Sequence, residues 1–202
     1  HRVLTVDPED RSAVLLRLVQ GEGKSIIFTR TKMTAERLSE SLTQAGVPAA
    51  RLHGDLNQNQ RNRNLERFTK GGCRVLVATD VAARGIDVDN ITHVINYNLP
   101  DDIENYTHRS GRTARAGRQG KSLVLINTRE NFKIKAIERQ IRTTFTAALI
   151  PEASEICGIQ LNKLISKVKE IEVKENDIAP FLPAIMADFE ELSKEEVIKK
   201  FI

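Results

Sequence analysis

Tryptophan is missing from this chain, and aromatic residues make up only 4% of it. Recognition of nucleic acid by stacking bases on rings is therefore disfavoured, whereas contact with a phosphate backbone is not. Cysteine is scarce too. Cys73 and Cys157 follow no pairing pattern, which excludes a disulfide framework and points to a reducing compartment. No apolar run approaches the roughly 20 residues that a membrane-spanning helix needs, and no signal-peptide pattern opens the chain. A cytoplasmic location is expected. The first residue is His1 rather than Met, so the chain is expected to begin inside a longer gene product.

Chemistry that needs clustered ligands or nucleophiles is also poorly supplied. The 4 histidines are scattered and repeat no metal-ligand spacing, so no metal site is predicted. Ser110 stands beside His108 and Arg109, but no nucleophile elbow surrounds it. Gly23-Lys24-Ser25 looks like the end of a phosphate-binding P-loop, yet Leu18 occupies the place of that loop's first glycine. The context is inverted as well. A P-loop leads from a strand into a helix, and here a helix ends and a strand begins. Lys24 is predicted to be an exposed turn residue.

With 202 residues, 40% of them hydrophobic and 29% charged, the chain has the make-up of one ordinary globular domain, or of one plus a small appendage. Its net charge of +4 hides an asymmetry. Residues 152–202 hold 7 Lys+Arg against 11 Asp+Glu, while residues 1–151 hold 24 against 16. A basic body followed by an acidic tail directs nucleic-acid contact to the body.

Apolar periodicity alternates along that body. Val3–Val6, Ser25–Thr29, Ala49–His53, Arg74–Ala78, His93–Tyr97 and Lys121–Ile126 read as strands, several of them compact β-branched runs. Asp10–Gln20, Thr31–Gln44, Gln58–Lys70 and Asn131–Arg142 return to helical spacing, and Asp101 or Asp102 can cap one further helix. Such alternation predicts an α/β fold, a parallel sheet sandwiched by helices over residues 1–151. Ligands of such sheets bind at the carboxyl ends of the strands. Thr29-Arg30-Thr31, His53-Gly54-Asp55 and Thr79-Asp80 are predicted to meet there. After Pro151 the pattern becomes apolar helical clusters, a small all-α extension over residues 152–202. About fifty residues rarely make a sufficient core alone, so this extension is expected to pack on the body or on a second copy.

Within the body, Tyr106–Arg118 (YTHRSGRTARAGR) concentrates guanidinium groups. Continued as a helix from Asp101, it would set His108, Arg112 and Arg115 on one face. Such a stripe cannot be buried against apolar neighbours, and guanidinium pairs bidentately with phosphate or carboxylate. Alone it reads equally well as a solvated basic face. Other residues tip the balance. Asp87 follows a glycine turn, where a carboxylate can accept hydrogen bonds from a ribose diol, and Gly85 allows close backbone approach. Gln58 and Arg61 lie one turn apart at a helix start, where main-chain donors and a guanidinium both reach phosphate. Each has a plainer reading as a turn carboxylate or a solvated helix end. Together they point to a reader of nucleotide and nucleic acid.

In the order and spacing of these motifs, the body resembles the C-terminal RecA-like domain of DEAD-box ATP-dependent RNA helicases, over roughly residues 1–150. Ser25–Thr31 (SIIFTRT) is similar to that family's motif IV, and His53–Arg61 (HGDLNQNQR) contains its Gln-x-x-Arg element. Val77–Asp87 (VATDVAARGID) is similar to motif V, and His108–Arg115 (HRSGRTAR) to motif VI. Ser110 and Ala114 stand where the family often has a larger apolar residue and a glycine. The tail from Glu152 resembles helical extensions of some bacterial members, in some of which that region dimerises.

The resemblance implies an RNA-stimulated ATPase that opens short duplexes. ATP with its Mg²⁺ would be held mainly by an N-terminal RecA-like domain carrying the P-loop and the DEAD carboxylates, neither of which this chain has. Arg112 and Arg115 would act as arginine fingers on the γ-phosphate. Asp87, with Gly85, would meet the ribose, and His108 would link the nucleotide site to the facing domain. RNA backbone would be met, independently of sequence, by Arg30, Gly54, Gln58, Arg61, Thr79 and Asp80. Arg84 and Arg109 would serve the interdomain interface, Arg109 through an ion pair within or between the domains. The fragment alone would not hydrolyse ATP. The alternative is a non-catalytic RNA-binding or dimerisation module.

Overall fold

The computed structural model describes residues 1–21, 23–83, 86, 88, 90–114, 119–172 and 175–201. Strands β1 (Arg2–Thr5), β2 (Lys24–Thr29), β3 (Ala49–Leu52), β4 (Val75–Thr79), β5 (Ile91–Asn96), β6 (Lys121–Ile126) and β7 (Thr146–Ala147) form one sheet in the order β3-β4-β2-β5-β6-β1-β7. Every pairing is parallel, so the carboxyl ends of the strands share one edge. Between the strands run α1 (Arg11–Gln20), α2 (Lys32–Gln44), α3 (Gln58–Thr69), α4 (Asp80–Ala83), α5 (Ile103–Ser110) and α6 (Asn131–Ile141). The expected α/β sandwich is present, with element ends shifted by a residue or two. Single-turn α4 and two-residue β7 are too short to leave a periodicity.

Successive strand residues point to opposite faces, and both faces are covered. Ile27, Val77, Ile95 and Leu125 pack with Val14 and Leu15 of α1 and Leu38 of α2. On the other face Phe28, Leu76 and Val94 pack with Phe68 of α3 and Ala82 and Ala83 of α4. Val124 and Ile126 meet Tyr106 of α5 and Ile134 and Ile137 of α6. This two-sided burial explains the near-continuous apolar runs of the strands. Each large apolar side chain so buried contributes about 1.5–3 kcal/mol, which makes the sheet a stiff platform for the loops at its edge.

Three helices that leave the carboxyl edge begin on side-chain caps. Thr31 accepts from the Thr34 N–H before α2, and Asp102 from the Asn105 N–H before α5. Asn57 and Gln60 form a reciprocal capping box on α3. Such caps satisfy donors that have no partner within the helix and fix the direction of the first turn. Lys24 departs from expectation. It is the first residue of β2, its Nζ donating to the Thr69 carbonyl at 2.8 Å and lying 5.7 Å from the centre of the Phe68 ring. Gly23, at φ 94°, makes the turn instead.

By compactness the chain divides into His1–Ala153 and Ser154–Ile202. The second part is built of α7 (Ala153–Glu170), α8 (Glu175–Ile178), α9 (Leu182–Asp188) and α10 (Lys194–Phe201). Leu164, Ile165 and Val168 of α7 are exposed, as are Phe181, Leu182 and Met186. Among the described residues, no helix is long and apolar enough to cross a membrane.

Candidate functional site

The carboxyl edge is organised around one buried arginine. Arg109, on the last turn of α5, has a side chain only 2% exposed. Its Nε donates to Asp80 Oδ1 at 2.5 Å and its Nη2 to Asp80 Oδ2 at 2.6 Å. Nη1 donates to Asn96 Oδ1 at 2.9 Å and to the Asn98 carbonyl at 2.8 Å. The guanidinium also lies 5.1 Å from the centre of the Phe28 ring. A buried ion pair is tolerated when geometry is bidentate and the remaining donors are satisfied, and both conditions hold here. The cluster ties together the ends of β4 and β5 and the last turn of α5.

The Arg109 ion pair thus lies within the domain, one of the two placements expected for it. Both carboxylate oxygens of Asp80 are held by Arg109, so the side chain of Asp80 fixes Arg109 at the start of α4 and leaves only its main chain to meet a ligand.

Arg112 does not continue the helix. After Ser110 the backbone tightens, with the Gly111 N–H donating to the Thr107 carbonyl at 2.9 Å and the Arg112 N–H to the Arg109 carbonyl at 3.0 Å. The Thr113 hydroxyl anchors the turn on the Ile91 carbonyl at 2.5 Å. Ala114 follows at φ 58°, a left-handed conformation that costs a non-glycine residue about 1–2 kcal/mol. The single helical face expected for His108, Arg112 and Arg115 therefore does not form, because the helix stops at Ser110. Arg115 lies outside the described residues. The turn nevertheless brings Arg112 back beside His108. Arg112 Nη1 donates to the Ile86 carbonyl at 2.9 Å. Together with Asn105, Ala83 and the Arg109–Asp80 pair, His108 and Arg112 line a cavity of about 210 Å³. His108 is exposed at its rim, Nε2 lying 3.9 Å from Glu104. Arg109 is neutralised by Asp80, and Arg112 adds a second guanidinium to the cavity wall.

The rest of the edge spans the ends of β3, β4 and β2, adjacent in the sheet. Arg30, after β2, donates from its N–H to Asn98 Oδ1 at 3.2 Å and pairs with Asp101 at 3.2 Å. At Gly54, after β3, a Cβ would meet nothing within 4 Å. Gln58 opens α3, its amide donating to Asn62 Oδ1 at 2.9 Å. Arg61 Nη2 donates to the Ala82 carbonyl at 2.7 Å, tying α3 to α4. Thr79 is half-buried at the end of β4. The fold thus gathers Arg30, Gly54, Gln58, Arg61 and Thr79 along one edge. Lys32 joins them through a salt bridge to Asp55. That bond raises the Lys32 ammonium above its ordinary pKa and holds the Asp55 carboxyl below its own. Arg84, Gly85 and Asp87 lie outside the described residues. Sequence reading missed Asn96, Asn98 and Asn105. The one available signal was an asparagine in the apolar strand HVINYN, where a buried amide needs polar partners.

Against known proteins, the family described as helicase conserved C-terminal domain matches residues 10–117. A second, the helical domain of probable ATP-dependent RNA helicases, matches residues 156–202. The chain is 40% identical over 170 residues to the ATP-dependent RNA helicase DeaD of Buchnera aphidicola, covering 83% of this chain and 28% of that protein. It therefore spans about a third or less of the length of these curated relatives, 33% in the case of the Bacillus cereus helicase CshA, to which it is 39% identical over 175 residues, 86% of this chain. The structure of the E. coli DEAD-box protein SrmB bound to RraA superposes with a TM-score of 0.70 at 36% identity, covering 77% of this chain and 91% of that one. Dbp5 of S. cerevisiae bound to RNA and ADP BeF3 gives 0.69 at 32% identity, covering 83% and 44%.

Proposed function

Because the chain belongs to the helicase conserved C-terminal domain family, in its DEAD-box branch, we propose that it is one half of an ATP-driven RNA motor. The observation that carries this reading is the contrast inside motif VI. Arg109 is sealed by Asp80, while Arg112 lines a cavity of about 210 Å³, below the roughly 300–1,000 Å³ of pockets that enclose a whole small-molecule ligand. A partial site of that kind fits completion by a facing domain. Bound ATP would supply the phosphoryl group, with Mg²⁺ and most of the nucleotide held by the N-terminal RecA-like domain. Among the described residues, no three His, Cys, Asp or Glu side chains are grouped to hold a metal ion.

In this reading Arg112 and Arg115 spread charge from the γ-phosphate, a contribution of about 10³–10⁵-fold to phosphoryl transfer. Asp87 and Gly85 take the ribose, His108 links the cavity to the facing domain, and Arg84 serves the interface. Arg30, Gly54, Gln58, Arg61, Thr79 and the main chain of Asp80 meet RNA phosphates and 2′-hydroxyls without reading sequence. The related Dbp5 structure holds RNA and ADP BeF3, the two ligand classes this reading requires. Residues 1–151 form the motor domain. Residues 152–202 form a helical extension whose exposed apolar side chains support homodimerisation. The whole protein works in the cytoplasm, where free Cys73 and Cys157 stay reduced.

The decisive experiment uses the full-length protein. Arg112→Ala is expected to lower RNA-stimulated hydrolysis about 10³-fold while RNA affinity changes little; equal losses in both would remove the finger role. The isolated chain should show no RNA-stimulated turnover. Sedimentation of chains ending at Pro151 and at Ile202 tests the extension, with dimers expected only for the longer.

A further inference from the structure

The sheet ends at β3, which pairs with β4 alone. Its open side faces a groove of about 550 Å³ between α2 and α3. Addition of another strand there is hindered. Thr43 Oγ1 accepts from the Ala49 N–H at 3.3 Å, and Asn64 Nδ2 donates to the Arg51 carbonyl at 2.9 Å. Side chains thus occupy main-chain groups that an incoming strand would need.

The groove is lined by charge and amides instead. Gln60, Arg63, Asn64 and Arg67 fall on one stripe of α3, and Arg51 rises from β3. Glu40, 3.4 Å from Arg51, offsets one of the three guanidinium groups. Arg63 and Arg67 are exposed and make no ion pair among the described residues. Gln60, which lines the groove, accepts through Oε1 from the Asn57 N–H at 3.1 Å. The apolar part is Ala49, Ala50 and Leu56, without the large aromatic anchors on which protein partners concentrate their binding energy.

We propose that this groove holds the sugar–phosphate backbone of single-stranded RNA extending beyond the strand-edge site. The inference rests on the RNA reading of that edge. One helix carries both places: Gln58 and Arg61 stand on the first turns of α3, and Arg63 and Arg67 follow along it. A strand leaving the first turn meets the groove next. Guanidinium groups bind its phosphates, and the amides of Gln60 and Asn64 suit 2′-hydroxyls. Contact is independent of sequence, because no ring is present to stack a base. The groove lengthens the RNA site and leaves the phosphate cavity untouched.

Fluorescence anisotropy of the 202-residue chain with oligouridines of about 6 and about 20 nucleotides, across a salt series, tests this. Arg63→Gln with Arg67→Gln is expected to weaken the longer RNA about tenfold and leave the shorter unchanged. With the longer RNA, the slope of log K against log salt should fall by about 1.4, at ~0.7 for each phosphate released from a single strand. A variant with equal charge loss on α6, Lys133→Gln with Arg139→Gln, should match the wild type. An unchanged slope and affinity for the longer RNA overturns the proposal, and so does an equal loss for both lengths. Binding of polyglutamate that depends on Arg63 and Arg67, with RNA unaffected, would assign the groove to an acidic protein segment and also overturn it. If the wild type fails to bind the shorter RNA while the longer depends on Arg63 and Arg67, the strand-edge reading fails and the groove stands.

Discussion

The last turn of α5 and the turn that follows it carry the same side chain to opposite ends. Arg109 spends four of its five N–H donors on Asp80, Asn96 and Asn98 and is sealed from solvent. Arg112, one tight turn later, stays half-exposed on the wall of a cavity. The difference teaches that arginine density does not measure arginine function. A guanidinium with a matched carboxylate is a fastener. One on the wall of a cavity beside a neutralised pair is placed where a ligand filling that cavity would meet it. The first also holds the second in place, because the turn bearing Arg112 starts from the helix that Arg109 anchors.

The sharpest way to break this contrast is to remove each arginine and measure urea unfolding. Arg109→Ala strands a largely buried carboxylate and should cost about 3 kcal/mol. Arg112→Ala should cost under about 1 kcal/mol; equal losses would erase the distinction between fastener and presenter. The turn itself comes next. A Cβ at Gly120 would sit 2.0 Å from Thr113 Oγ1 and 2.7 Å from the Ala114 nitrogen. Gly120→Ala should therefore cost about 2 kcal/mol and, in the full-length protein, lower hydrolysis by displacing Arg112. Ala114→Gly acts in the other direction. It relieves a left-handed alanine, for a net gain of about 0.5–1 kcal/mol after the added chain entropy of glycine. An unfolding midpoint that stays put or falls would show that the turn is unstrained.

The smallest effect lies away from the site. Burial, with help from Lys121, pushes the His93 imidazole below its ordinary value of 6.5. The folded protein therefore takes up a proton less readily than the unfolded chain. Its contribution is complete above about pH 6.5 and declines as pH falls through that value toward the lower folded pKa. His93→Gln should flatten the stability profile of the wild type on the acid side of pH 6.5; an identical acid slope would remove His93 as its source.

Much of the site was legible in the sequence, because the strands are short apolar runs and their following loops are polar. Arg30, Gly54 and Thr79 could be placed at one edge by topology alone. The end of α5 was less legible. Gly111 is a helix-stop signal, but the three-four spacing of His108, Arg112 and Arg115 suggested a continuous face that the backbone does not make. The groove beside β3 left no motif at all. Arg63 and Arg67 have the spacing of any solvated helix stripe, and their meeting with Arg51 depends on β3 being the last strand of the sheet.

By itself the sequence determined a parallel sheet buried on both faces, since runs such as SIIFT and RVLVA have no polar face to offer water. It also determined that chemistry would gather at the carboxyl edge, where the polar loops follow the strands. Only the tertiary structure decided which arginine would be sealed and which presented. Asp80 lies 29 residues before Arg109, and Asn96 lies 13 before it. They reach one guanidinium because β4, β2 and β5 are neighbours in space. Pairing of that kind depends on strand order, and no local spacing carries it.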